Sequence, residues 1–219
     1  MKDDPAMERD LLREQIAFYR ARAPEYGRSG AYQEQFETVK RVLRTMGPFE
    51  HILELACGTG IWTKELVNIG QEIIAIDASP EMLELNRSSV ADARVQYRQA
   101  DLFEWQPESE YDLVFMAFWL SHVPPDLVDT FLDKVRTAVR PGGKVFIVDQ
   151  CEDFRDRPIP ERLGIRETRR TSDGRTFGIV KVYYHPALLA NRLTRFGFDT
   201  RGQRVHDSFF FVSGTREPI

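Results

Sequence analysis

Two hydropathy rhythms alternate along the middle of the chain: short apolar runs of strand length, and longer segments in which apolar residues recur every three or four positions. "PFEHILELACGTG" predicts a strand and turn, "IWTKELVNIG" a helix closed by Gly70, and "QEIIAIDASPEMLELNRSSV" a second strand and helix, with Pro80 after Ser79 as the helix start. "VQYRQADLFEW" reads as a third strand and loop. "YDLVFMAFWLSHV" is apolar on both faces, so it belongs in the middle of a sheet, not at its edge. "PPDLVDTFLDKVRTAVRPGG" follows as a helix with Leu127, Phe131, Val135 and Val139 as its buried stripe, and "KVFIVDQ" as a fifth strand. Ahead of this series, Met7 to about Met46 predicts two helices separated at "APEYGRSGAY", the first with Leu11, Leu12, Ile16 and Tyr19 on one stripe. Behind it, "RETRRTSDGRTFGIVKVYY" gives two extended runs around a Ser-Asp-Gly turn, "HPALLANRLTRFGF" a helix and "RVHDSFFFVSGTR" a last strand. Strand–helix alternation of this kind predicts right-handed parallel βαβ units in a doubly wound sheet, with ligands at the carboxyl ends of the strands.

Composition narrows the class without changing it. With 219 residues, 42% hydrophobic, 29% charged and a net charge of -4, the chain is expected to fold as one globular α/β domain and to present no dedicated nucleic-acid surface. Cys57 and Cys151 are too few for a disulfide framework and too far apart for a zinc pattern, so they read as reduced thiols and no metal site is expected. No apolar run reaches the ~18 residues of a membrane span, and "MKDDPAMERD" is acidic where a signal peptide is basic, so a cytoplasmic protein is expected.

The candidate chemistry gathers at predicted strand ends. Gly58 and Gly60 lie where the first strand turns into its helix, a place where small residues let backbone approach a ligand. A dinucleotide fingerprint would want a third glycine at position 63, which is Thr63, so a nicotinamide cofactor is disfavoured. Three acids then fall in order: Glu54 inside the first strand, Asp77 ending "IIAID" and Asp101 in "QADLF". Asp77 offers a two-oxygen fork suited to both hydroxyls of a ribose, or it is simply an acid near the Ser79 cap. Asp101 with the backbone of Leu102 can read an adenine edge, or it is a surface-turn acid.

In order and at matching spacing, "LELACGTG", "AIDASPEML", "RQADLFEW", "YDLVFMAFWLSHVP" and "VRPGGKVFIVD" resemble the class I S-adenosylmethionine-dependent methyltransferases, in the small ubiquinone/menaquinone-methyltransferase-like branch. The resemblance implies a Rossmann-like, doubly wound, seven-stranded and mostly parallel sheet with an antiparallel last strand and helices on both faces. It also implies an N-terminal helical lid over 1–46 and a substrate-cap insertion over 151–185. By the same resemblance, Glu54 to Gly60 surround the methionine part of S-adenosylmethionine, with the backbone of Ala56 and Gly58 near its amino group. Asp77 then takes the ribose, Ala78 and Met82 flank the adenine, and Asp101 with Leu102 reads its edge. "FYRARAPEYG" resembles the family's cover segment, which makes Tyr19 and Tyr26 cofactor contacts; Tyr19 reads equally as a member of its helix's apolar stripe. Where the family commonly has "D-x-G-x-G", this chain has the variant "ELACGTG", and Cys57 is read as packing, not as a nucleophile.

The implied reaction is methyl transfer to a small-molecule acceptor, foremost an oxygen of a phenol, carboxylate or hydroxyl. Nitrogen, carbon and sulfur acceptors, and a cofactor-binding protein without turnover, stay open. His122 is the candidate base, with a structural loop histidine as the alternative. Phe118 and Trp119 are expected to stack near the cofactor or wall the acceptor pocket. In the arginine-rich insertion, Arg166, Arg169, Arg170 and Lys181 are placed to hold a carboxylate or phenolate, with Tyr183, Tyr184 and His185 beside them, unless the hairpin merely exposes its charges. No partner beyond the small molecule is expected, and monomer and homodimer are both compatible with the sequence.

Overall fold

The computed structural model describes residues 5–25, 33–151, 166–207 and 209–218. In chain order the elements are α1 (Pro5–Arg22), α2 (Gln33–Arg44), β1 (Phe49–Leu55), α3 (Thr63–Leu66), β2 (Gly70–Asp77), α4 (Pro80–Val90), β3 (Val95–Gln99) and β4 (Tyr111–Ala117). After these come α5 (Val128–Ala138), β5 (Val139–Gln150), β6 (Arg166–Arg170), β7 (Thr176–Val180), α6 (Pro186–Thr194), β8 (Phe198–His206) and β9 (Phe209–Arg216).

Seven strands form one sheet in the order β3-β2-β1-β4-β5-β9-β8, and β6 with β7 forms a separate antiparallel hairpin. The β1–β2, β1–β4, β2–β3 and β4–β5 pairs are parallel, whereas β9 runs antiparallel to both β5 and β8. The chain winds outward from β1 to β3 and then returns to the other side of β1 as β4. Strand order therefore reverses between β1 and β4, and a crevice opens there at the carboxyl ends.

The strand period of two sorts the core into two layers. Leu53, Leu55, Val114, Met116 and Ile147 face one side with Phe131, Leu132 and Val135 of α5 and Leu189 and Leu193 of α6. Ile52, Leu113, Phe115, Phe146 and Val148 face the other with Val39 and Leu43 of α2, Trp62, Leu66 and Leu83. Every residue of β4 up to Met116 is buried, as its two-sided apolarity predicts. Each fully buried side chain of this kind contributes about 1.5–3 kcal/mol, so the sheet is a rigid base for its loops.

Two elements differ from the sequence expectation. The helix after the glycine turn is only four residues long, and Gly70 opens β2 instead of closing that helix. A Cβ on Gly70 would stand 2.5 Å from Ile52 Cδ1, so the glycine serves close strand packing. The final strand is a hairpin: "FDTRGQRVH", largely exposed, forms the edge strand β8 beside β9. Among the described residues no helix is long and apolar enough to cross a membrane.

The hairpin β6–β7 is covered by α1. Glu14 Oε1 accepts the Gly178 N–H (2.6 Å) and Gln15 Oε1 that of Val180 (2.9 Å), so two side chains of α1 satisfy edge donors of β7. Just beyond α1, Glu25 accepts the Ser172 N–H (3.0 Å) at the hairpin turn. α1 and the hairpin are thus one assembly, and Arg20, paired with Glu81 at 2.9 Å, ties it to the start of α4.

Candidate active site

The crevice at the carboxyl ends of β1, β2 and β4 opens into a cavity of about 870 Å³, roofed by α1 and the β6–β7 hairpin. Its floor begins at the turn after β1. Ala56 and, at the matching end of β4, Phe118 hold left-handed backbone (φ 54° and 56°), a conformation costing a non-glycine residue ~1–2 kcal/mol. The Phe118 N–H bond to Val148 O (2.8 Å) helps hold that geometry, and both residues line the cavity. At Gly58 an added Cβ would meet nothing within 4 Å, so this backbone lies open to a ligand.

Asp77 ends β2 at the cavity wall and accepts the N–H groups of Gly58 (Oδ2, 2.9 Å) and Ser79 (Oδ1, 2.9 Å). Each oxygen keeps a second lone pair, the fork a vicinal diol needs. Burial raises this carboxyl above its ordinary range, against the pull of those hydrogen bonds. Ser79 also caps α4 by accepting the Met82 N–H (3.1 Å), which sets Ala78 and Met82 on the wall. Asp101 accepts the Phe103 N–H (2.9 Å), and with the buried Leu102 it completes this side.

Glu54 and Gly60 lie beneath the turn, not on the cavity wall. The Thr63 hydroxyl donates to Glu54 Oε2 (2.6 Å), Asn86 Nδ2 to Thr63 Oγ1 (2.8 Å) and the Tyr97 hydroxyl to Asn86 Oδ1 (3.0 Å). The residue standing where a dinucleotide fold has its third glycine is therefore the partner of the buried acid. Burial pushes Glu54 up to about 8, with Thr63 opposing and the Asp77 charge adding. A Cβ on Gly60 would sit 2.6 Å from Asn86 Oδ1, which reserves that position for glycine. Cys57 is buried, and burial raises its thiol well above the usual range, in keeping with a packing role.

His122 lies at the deep end, 5% exposed. Its Nδ1 is 2.7 Å from Val180 O, which can only accept, so Nδ1 carries the proton and Nε2 accepts from the Tyr19 hydroxyl at 2.7 Å. Burial, then the charges of Lys181 and Arg169, push the imidazole down to about 3 against the Val180 carbonyl. It is neutral, with both nitrogens occupied.

Of the residues singled out from the sequence, Tyr19, Ala56, Gly58, Asp77, Ala78, Met82, Asp101, Leu102, Phe118, Trp119 and His122 line the cavity. Tyr26 lies outside the described residues. Arg166, Arg170 and Tyr183 are not on the wall: Arg166 meets Glu14 (3.4 Å), Arg170 donates to Gly174 O (3.2 Å) and the Tyr183 hydroxyl to Glu167 (3.2 Å). Strand alternation explains the selection, since Arg166 and Arg170 sit on the hairpin face opposite to that of Arg169 and Ile179, which reach the cavity together with Lys181. Counting by twos along "RETRR" and "TFGIVK" would have separated them. Phe36 and Gln150, also on the wall, carried no motif signal.

The family described as "Methyltransferase domain" matches residues 52–143. The DhpI–SAH complex superposes with a TM-score of 0.82 at 36% identity, covering 95% of this chain and 98% of that one. The DhpI–SAM–HEP complex gives 0.82 at 38%, covering 93% and 97%. Demethylmenaquinone methyltransferase of Clavibacter sepedonicus is 34% identical over 113 residues, 51% of this chain and 44% of that protein. The chain spans about half the length of the curated relatives it matches. With the reversed sheet order, the open Gly58 turn and the Asp77 fork, these likenesses define the class: the chain belongs to the class I S-adenosylmethionine-dependent methyltransferases. S-Adenosylmethionine is the cofactor of that class, and the neighbouring complexes hold it or its demethylated product.

Proposed function

We propose that this chain transfers a methyl group from S-adenosylmethionine to an oxygen of a small-molecule acceptor. The observation that carries the reading is that one roofed cavity of about 870 Å³ has two chemically distinct walls, one of Gly58, Asp77 and Asp101, the other of Tyr19, His122 and Lys181. The first wall suits the cofactor; the second leaves room for another reactant. When bound, the cofactor supplies a methyl already activated on a sulfonium.

The chain's own work is then alignment and exclusion of water. Asp77 and Asp101 fix one reactant by hydrogen bonds, α1 and the hairpin cover the other, and holding two reactants in line supplies roughly 7–11 kcal/mol of barrier reduction. Oxygen is favoured over an amine because the cations Lys181 and Arg169 on the second wall repel an ammonium acceptor.

Calorimetric titration of S-adenosylmethionine tests the first wall. Asp77→Ala should weaken binding by about 1–3 kcal/mol, through loss of charge-assisted hydrogen bonds. Release of S-adenosylhomocysteine from a panel of phenols, carboxylic acids, alcohols and amines tests the second. Binding without turnover on any of them would leave a cofactor-binding protein in place of an enzyme.

A further inference from the structure

We infer that the hairpin wall of the cavity is a binding site for a small oxyanion of the acceptor, a carboxylate or phosphate-type group, held by Lys181 and Arg169. The inference rests on the methyltransferase reading and names the acceptor class for it.

Lys181 follows β7 directly, is 2% exposed and yet lines the cavity. Its ammonium donates to Ser121 Oγ (2.9 Å) and lies 5.3 Å from the centroid of the Tyr183 ring. Three N–H donors and one hydrogen-bond acceptor leave two donors unused among the described residues. A buried ammonium in that state is costly unless an anion completes it. Asp149, whose charge Lys181 feels, does not pair with it directly: its oxygens accept the N–H groups of Ser121 (2.8 Å) and Gln150 (2.7 Å).

Arg169 supplies a second cation on the same wall. Its Nη2 meets Glu167 at 2.5 Å, which anchors one edge of the guanidinium. The fork has five donors, and the side chain is 42% exposed. The carboxylate of Glu25, also on the wall, is committed to the Ser172 N–H and hydroxyl, and Arg22 adds a further positive charge near the mouth. Of the five cations between residues 166 and 181, only these two line the cavity.

An oxyanion acceptor also explains why the site needs no proton acceptor. The acceptor oxygen already carries the attacking pair: its O–CH3 bond forms as the methyl–sulfur bond breaks, the latter's electrons remain on sulfur, and no proton moves. Neutral, fully hydrogen-bonded His122 is then compatible with the chemistry.

The test uses the full chain saturated with S-adenosylhomocysteine, titrated by calorimetry with benzoate and, separately, inorganic phosphate. One or both probes should bind the wild type. Lys181→Met should weaken that binding by about tenfold or more and Arg169→Gln severalfold, Lys181→Arg should largely retain it, and S-adenosylhomocysteine affinity should stay unchanged throughout. The tighter probe distinguishes carboxylate from phosphate-type acceptors. Anion binding that is absent from the wild type, or equal in the wild type, Lys181→Met and Arg169→Gln, overturns the oxyanion site while leaving the methyltransferase reading intact. A wild type that does not bind S-adenosylhomocysteine overturns that reading itself. Should Lys181→Met fail to fold, Arg169→Gln on the exposed strand decides alone.

Discussion

His122 is held from both sides, by a backbone carbonyl at one nitrogen and a tyrosine hydroxyl at the other, and this makes it a device for aiming Tyr19. An imidazole kept neutral down to about pH 3 gives turnover no ionisation of its own near neutrality. The expected kcat profile is therefore flat with respect to histidine from about pH 5 to 8. Tyr19→Phe and His122→Asn should each lower kcat by roughly tenfold, and the double variant by little more than either single change, because the pair acts as a unit. A break near pH 6 to 7 that vanishes in His122→Asn would return the imidazole to base catalysis. At this scale much of the cavity lining was legible. Asp77 and Asp101 announce themselves as acids ending strands, and the face of Lys181 follows from counting along β7. The state of His122 was not legible, since it depends on Gln15, Tyr19 and Val180, more than 50 positions away in the chain.

The glycine turn is an element whose stability is set from below. Tyr97, Asn86, Thr63 and Glu54 form a polar chain under it, ending in an acid that burial holds protonated at neutral pH. The folded pKa of Glu54 lies near 8, above its unfolded value near 4.3. Its contribution to stability is thus complete below about pH 4.3 and is lost as pH rises through 8, at up to about 1.4 kcal/mol per pH unit. Thermal unfolding of the ligand-free protein between pH 5 and 9 should show this slope, and Glu54→Gln should flatten it; equal slopes would mean that Glu54 ionises normally inside the fold. An apolar strand with one acid pointed to a special turn, but the sequence could not say that Thr63 was the acid's partner, because the two meet only once the strand turns back into α3. The edge strand β8 escaped notice for a related reason: exposed, polar and Gly-containing, it takes its conformation from β9, not from its own pattern.

For the molecule as a whole, the parallel doubly wound sheet followed from the strand–helix alternation and its antiparallel last strand from the family resemblance, whereas the joining of α1 to the hairpin did not, because it is built from polar contacts between distant segments. Glu14 and Gln15 hold the edge of β7, so Gln15→Leu should free the Val180 amide. Hydrogen exchange at residues 178–180 should accelerate about tenfold, the equivalent of one net hydrogen bond, while β1 and β4 keep their protection. Faster dissociation of S-adenosylmethionine should accompany it. Exchange unchanged at Val180 would show that packing of Phe18 against Phe177, at 5.8 Å between ring centroids, holds the cover unaided. The same latch orders the folding of the chain. α1 is synthesised before the hairpin, yet the groups that its Glu14 and Gln15 and the following Glu25 bind lie 147 to 165 positions later. Closing so long a loop is entropically unrewarded until the sheet has brought its ends together. A helix made early is thus seated late, and a nascent chain still lacking its hairpin has the cofactor floor without its roof.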